Sequence, residues 1–478
     1  MGEVKFVDTT IRDGNQSLWG ATGLSAGMIL SIGRVMDRVG FKAIDLTAST
    51  HMGVAVRYHK ENPWEIMRLA ARRIRKTPLA FGTTGRRFIG FKRVPDAVMA
   101  LVLQRVALNG LRRVWILDAA HDVAQIVKVA GLAKAAGIEE VVAVLCFTIS
   151  PVHSDEYYAA KAAAIARCPD VDTLCLEDQG GLLTPSRVTG LISALRAACG
   201  GKTLEIHFHC NTGLAAVCYL EAVRLGVDVV HTTVPPLAYG TSLPSVFNIA
   251  GNLPHLSRGS RLGEEALRFV PAWLTGREGY HANLDHEALE AVAAHFQAVA
   301  VREGRPVGRP VEHDAYYYVH QVPGGMMTTL KRQLAEMKME NRFGEVLREV
   351  VRVRRELGYP VMATPFSQFV GTQAAMNVIH GERYQVIPTG VIEYAAGWFG
   401  PPPVPIDPDV MGRIAAQPKA GAIFASEFPQ PSVAELRREM GLPPGVPDEE
   451  FLLRYVLIGR EVDEMLAAGP VNPVYRDI

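Results

Sequence analysis

The sequence predicts a (β/α)8 TIM barrel followed by a mainly helical C-terminal domain. Three observations carry this expectation: short apolar, β-rich runs recur between residues 5 and 231, longer helical patterns separate them, and after residue 285 the helical segments lengthen with no further strands. At 478 residues and 48% hydrophobic content the chain can bury more than one core, so two domains are expected, at 1–285 and 286–478.

The strand candidates are residues 5–7, 43–46, 79–82, 113–117, 141–146, 173–176, 204–209 and 227–231. Strands separated by helices require right-handed crossovers and a parallel sheet, and eight such units close into a barrel. An open, doubly wound sheet is the alternative, but no GxGxxG follows the first strand. Beyond the barrel, helical spacing covers 285–303 and 326–357, a Pro-rich stretch follows at 399–408, and helix resumes at 432–440 and 448–468.

Charge excludes some classes of partner. With 50 Lys and Arg against 49 Asp and Glu, no uniform field draws the chain to nucleic acid or a membrane surface. The six cysteines form no CxxC pair and no secretory leader precedes them, which fits a reduced cytoplasm. The apolar runs have the length of buried strands, so no transmembrane segment is expected.

Two motifs carry chemistry. The first, Asp8-Thr9-Thr10-Ile11-Arg12-Asp13-Gly14-Asn15-Gln16-Ser17, directly follows the first strand, where barrel enzymes gather their active residues. It supplies an anion-binding cation, a hard metal ligand and a glycine that lets the backbone turn. The second is His207-Phe208-His209 at the end of the seventh strand. Residues i and i+2 of a strand face one side, so both imidazoles can reach one point, and with a carboxylate they suit Zn²⁺, Mn²⁺ or Co²⁺.

Arg12-Asp13 after the first strand together with His207-x-His209 on the seventh resembles the DRE-type metal-dependent barrels, which include hydroxymethylglutaryl-CoA lyase and isopropylmalate synthase. Four further motifs narrow the resemblance: Arg57-Tyr58-His59-Lys60-Glu61-Asn62-Pro63-Trp64-Glu65, Asp178-Gln179-Gly180-Gly181-Leu182-Leu183-Thr184-Pro185, Gln321-Val322-Pro323-Gly324-Gly325-Met326, and Thr364-Pro365-Phe366-Ser367-Gln368-Phe369-Val370-Gly371-Thr372-Gln373. Together they resemble the carboxyltransferase subunits of biotin-dependent pyruvate carboxylases, oxaloacetate decarboxylases and transcarboxylases. That resemblance implies Asp13, His207 and His209 as metal ligands, Arg12 and Gln16 as holders of a 2-oxo acid, and Thr364 as the hydroxyl that relays a proton between biotin and the substrate enolate.

Three positions depart from the family. Glu177 stands where the family carries a carbamylated Lys as fourth ligand; it is read as a metal ligand of shorter reach, direct or through a water. Thr84 stands in place of a substrate-facing Arg and Phe91 in place of a Tyr, so the substrate pocket is altered. Arg86 or Arg87 nearby could compensate for the missing guanidinium, but neighbouring residues point differently, and both read as solvated surface residues. Glu336-Met337-Lys338-Met339-Glu340 looks like a biotin attachment site, but its flanks have helical spacing without the glycines of a hairpin, so Lys338 is not expected to carry biotin. The resemblance then implies a separate biotin carboxyl carrier protein, a biotin carboxylase subunit, and a homodimer or larger complex. The rival readings are a biotin-independent lyase, decarboxylase or aldolase on the same barrel, and a non-catalytic assembly subunit.

Overall fold

The computed structural model describes residues 2–90, 93–256, 280–336 and 338–475. Eight strands, β1 (Lys5–Asp8), β2 (Ala43–Ala48), β3 (Leu79–Thr83), β4 (Arg113–Leu117), β5 (Glu140–Cys146), β6 (Thr173–Asp178), β7 (Thr203–Phe208) and β8 (Val229–Thr232), form one closed barrel in sequence order. Every neighbouring pair is parallel, and β8 closes the ring by pairing Lys5 with Val229 through Asp8 with Thr232. The strands are apolar on both faces, as in Val141-Val142-Ala143-Val144-Leu145, because one face packs on helices and the other fills the barrel.

The expected strand positions hold to within a few residues. β7 stops at Phe208, so His209 lies one residue past the strand. A short parallel pair, Gly2–Glu3 with Tyr280–His281, lies outside the barrel and was not expected. The outer helices begin on recognisable caps: Asn62 accepts from Trp64 N ahead of Pro63–Arg73, and Thr184 accepts from Arg187 N ahead of Pro185–Ala198, each with proline in the first turn.

The expected single helix over 326–357 is two. Gly324–Glu336 ends where Lys338 takes a left-handed conformation at φ 57°, and Phe343–Glu356 follows. Lys338 N bonds Ala335 O and Met339 N bonds Leu334 O, the paired closure of a helix C-terminus. Spacing alone did not reveal the stop because a lysine occupies the position that usually holds glycine. Lys338 is exposed between two helices, with no hairpin around it, while Met337 lies outside the described residues.

Two cores organise the packing. One joins the barrel wall and its helices to His286–Arg302 and to the late helices Val433–Glu439, Asp448–Val456 and Gly459–Ala467. The other joins in-facing barrel residues Trp115, Val142, Val144, Cys146 and Cys175 to Val322, Val350, Phe366, Phe369, Tyr394 and Phe399. The helical segment that includes Phe366–His380 therefore completes the inside of the barrel. Among the described residues, no helix is long and apolar enough to cross a membrane.

Candidate metal centre

After β1 the chain makes one wide turn over Thr10–Gly14, with Asp13 N and Gly14 N both bonded to Thr9 O at 2.9 and 3.0 Å. A side chain at Gly14 would come within 3.2 Å of Leu237 Cβ and Thr233 Cγ2, so glycine lets the turn sit against the loop after β8 without pushing it back by a few tenths of an ångström. The turn leads into the short helix Asn15–Trp19, whose Ser17 Oγ donates to Asp13 Oδ1 at 2.7 Å. Asp13 Oδ2 is thereby aimed at the end of β7. It lies 3.0 Å from His207 Nε2 and 3.6 Å from His209 Nε2, and the two imidazole nitrogens are 3.2 Å apart.

All three side chains are buried, and their ligand atoms lie within 4.8 Å of one another. Burial disfavours charge on Asp13, but the guanidinium of Arg12 and the imidazole of His209 outweigh it and hold the carboxyl well below its usual range. Burial likewise opposes charge on His209, yet Asp13 pushes it up to about 9. His207 is pushed down to about 3 by burial and stays neutral. His209 donates Nδ1–H to the carbonyl of Thr241 at 2.7 Å, which leaves Nε2 as the nitrogen that faces Asp13. Two imidazole nitrogens and a carboxylate oxygen at this spacing fit a divalent zinc-type cation.

A second buried group, Cys175, Glu205 and His231, has similar spacing. Glu205 is already bonded by Arg113 Nη2 at 2.5 Å and Lys42 Nζ at 3.0 Å, and two cations beside it disfavour a third.

The other sequence-predicted residues are distributed around this centre. Arg12 is buried with its guanidinium shared between Asp13, at 2.9 Å, and Asp45, at 2.6 Å, and it lies 5.1 Å above the ring of Trp115. Gln16 is half-buried on Asn15–Trp19. Glu177 pairs with His207 across β6 and β7, but its carboxylate is not part of the ligand cluster; its Oε2 accepts from Cys146 Sγ at 3.3 Å. The shorter side chain explains this, since it ends several bonds before a carbamylated lysine would. Burial pushes the Glu177 carboxyl up to about 7.

Thr364 is exposed two residues ahead of Phe366–His380 and lines a small, open cavity with Thr84, Arg86, Arg87, Asp118 and Phe399. None of Asp13, His207 or His209 lines it. Arg86 and Arg87 correct the expectation of solvated arginines: they are 8% and 6% exposed. Arg86 is held by Asp118 at 3.0 Å and Asp122 at 2.6 Å, which gives the guanidinium a structural reason to be inside. Thr84 is half-buried on the cavity wall, and Phe91 lies outside the described residues. Sequence reasoning missed Asp45, Trp115, Glu205 and His231, all buried around the centre. Asp45 had a signal, an acidic residue in the middle of a strand candidate.

Comparison with known proteins adds independent findings. The family described as "HMGL-like" matches residues 3–255, and that described as "Conserved carboxylase domain" matches residues 317–466. The chain is 34% identical over 458 residues to a pyruvate carboxylase subunit of Methanocaldococcus jannaschii, covering 95% of this chain and 76% of that protein. It is 30% identical over 482 residues to the 2-oxoglutarate carboxylase large subunit of Hydrogenobacter thermophilus, covering 98% of this chain and 70% of that one. Its fold matches the carboxyl transferase domain of Rhizobium etli pyruvate carboxylase solved with pyruvate and biocytin, with a TM-score of 0.83 at 23% identity over 98% of this chain and 78% of that one.

Proposed function

The chain belongs to the carboxyltransferase family of biotin-dependent carboxylases, and we propose that it moves a carboxyl group between carboxybiotin on a separate carrier protein and the enolate of a small 2-oxo acid. Family membership makes it an enzyme component of a multi-subunit carboxylase that works with a divalent metal and a biotin carrier. The observation that carries the finer reading is the convergence of Asp13, His207 and His209 at the carboxyl end of the barrel.

In this reading those three residues would hold zinc, manganese or cobalt, and Glu177, whose carboxylate stands outside the cluster, would complete the site through a water. The cation, when bound, acts as a Lewis acid on the substrate carbonyl. Arg12, pre-set by Asp13, Asp45 and Trp115, and Gln16 orient the oxo acid. Thr364 donates and accepts a proton at its Oγ1 from the exposed rim of its cavity. Arg87 gives that same cavity a cation where Thr84 offers none, which suits an anionic substrate or carboxylated carrier group. Residues 1–285 are proposed as the metal-binding domain and 286–478 as the domain that contributes Thr364, in a cytoplasmic assembly of at least two copies with a biotin carboxylase subunit.

The test is turnover of purified chain with and without partners. Oxaloacetate or pyruvate exchange of labelled carboxyl groups is expected only when a biotinylated carrier, or biocytin in excess, is supplied. Turnover with no biotin present would instead identify a metal-dependent lyase, decarboxylase or aldolase.

A further inference from the structure

The turn that carries Arg12 and Asp13 has a second face, where Ile11 and Asn15 line a partly open cavity. None of Asp13, His207 or His209 lines it. Its floor is apolar: Leu24 and Ile29, at the start of Ala26–Met36, meet Leu46 of β2 and Met67 of Pro63–Arg73, all four buried. Its rim is polar and half-buried, formed by Thr47, His51, His59 and Glu61. The space holds about three waters, or an organic molecule of about five non-hydrogen atoms.

The polar groups on this rim are incompletely used. Asn15 is spent within the turn, its Nδ2 donating to Ala21 O at 3.2 Å and its Oδ1 accepting from Gly23 N at 3.1 Å. Glu61 accepts from Ala26 N at 3.0 Å and has lone pairs to spare. Among the described residues, neither ring nitrogen of His51 nor Nε2 of His59 has a hydrogen-bond partner, although all three atoms are enclosed; His51 makes only a weak approach to the backbone of Arg12. An imidazolium enclosed with its N–H groups unpaired is costly, and the nearby Arg12 guanidinium adds more to that cost than Asp13 removes. His51 is therefore a neutral ring that brings one N–H and one lone pair to the cavity. A hydroxyl matches it, because it accepts and donates at once. A carboxylate has no hydrogen to give and meets Glu61, whereas an ammonium has no lone pair for an imidazole N–H and loses its hydration against the apolar floor. Water satisfies the rim but leaves the floor wet, which an aliphatic body avoids.

We propose that this cavity is a binding site for a small uncharged molecule with a compact aliphatic body and one hydroxyl, the hydroxyl at the rim of His51, His59 and Glu61 and the body against Leu46 and Met67. The site is separate from the metal centre and does not rest on the carboxyl-transfer reading. Its occupant touches the back of the turn that holds Arg12 and Asp13.

The test uses the full-length chain with carbon-13 methyl-labelled methionine and reads the Met67 signal, assigned by its loss in Met67→Leu. Three probes share one body and differ in the head: isobutanol, isobutylamine and isobutyrate. Isobutanol is expected to move the Met67 methyl signal saturably, with a Kd on the order of millimolar, and to show nuclear Overhauser contacts from its methyl groups to Met67. The amine and the acid are expected to bind at least about 10-fold more weakly. His51→Phe keeps a ring and removes both nitrogens, and is expected to weaken isobutanol about 3- to 10-fold. No saturable shift and no contact in the native chain overturns the proposal, as a cavity that holds only water would show. Equal or tighter binding of the amine or the acid overturns it too, as does native isobutanol affinity in a folded His51→Phe. Should that variant fail to fold, the ranking of the three probes and the contacts to Met67 in the native chain decide.

Discussion

Glu177→Gln probes whether the residue that replaces the family's lysine belongs to the metal centre. The side chain is 5% exposed, and burial, opposed by His209 and Arg12, pushes its carboxyl from 4.5 up to about 7. A folded-state value above the unfolded one means the folded chain keeps a proton that the unfolded chain releases between those two values. Stability therefore falls as pH rises through that window and stays low above it. A difference of this size corresponds to about 3 kcal/mol at pH 8. Glutamine has the same shape and no charge, so the metal-free variant is expected to be more stable than native by up to about 3 kcal/mol at pH 8 and nearly equal to it at about pH 4.5. A cation bound beside the native carboxylate cancels the same penalty, so native chain should bind zinc up to ~100-fold more tightly than the variant. Melting of metal-stripped proteins at the two pH values, with zinc titration at pH 8, reads both quantities. Equal stability at both pH values together with equal zinc affinity would refute the reasoning.

Two further expectations concern the cavity rim and the acid side of the stability curve. Thr364→Ala should lower carboxyl transfer by about 10²- to 10⁴-fold while Thr364→Ser retains it, with metal content unchanged in both because Thr364 lies outside the ligand cluster; transfer at the native rate in the alanine variant would remove it from the relay. His121, His153 and His320 are pushed by burial down to about 3, 4 and 4, and two of them accept backbone N–H groups, His121 Nε2 from Cys146 and His320 Nδ1 from Val322. Their folded values lie below the unfolded 6.5, so their contribution is fully present above that pH and is lost as pH falls towards 4, at up to about 1.4 kcal/mol per pH unit for each group. Glu177, Asp8 and Asp178, pushed up by burial to about 7, 7 and 6, act with the opposite sign over the same range. The check is therefore the difference between native chain and His153→Gln in denaturation of the metal-free proteins across pH 7 to 4; equal slopes in the two would contradict it.

The barrel was legible in the sequence because each strand is buried on both faces and so reads as an unbroken apolar run, Val141 to Leu145 being the clearest. The convergence of His207 and His209 on Asp13 was legible because alternation along a strand puts the two histidines on one side whatever the rest of the fold does. What escaped depends on long-range partners. Arg86 and Arg87 read as surface residues because charge predicts exposure, and only the folded chain brings Asp118 and Asp122 to Arg86. The helix stop at Lys338 escaped because the residue that turns there is not glycine. Gly2–Glu3 and Tyr280–His281 are too short to show a period and pair across most of the chain length. The place of Glu177, near the ligands but bonded to Cys146, follows from side-chain length and local packing, which no motif reports.

The shared core of Trp115, Val142, Val144 and Cys146 with Phe366, Phe369 and Phe399 has a consequence for how the chain comes apart. A barrel of this design normally fills its own lumen, but here part of the filling is lent by a segment more than two hundred residues later in the sequence. Losing that segment would open a wet, apolar well at the mouth, so barrel and stopper are coupled in folding. The hydroxyl of Thr364 rides on the stopper, at the head of its central helix. Loosening the plug would therefore displace the proposed relay hydroxyl before it disturbed Asp13, His207 and His209, which are anchored in the wall.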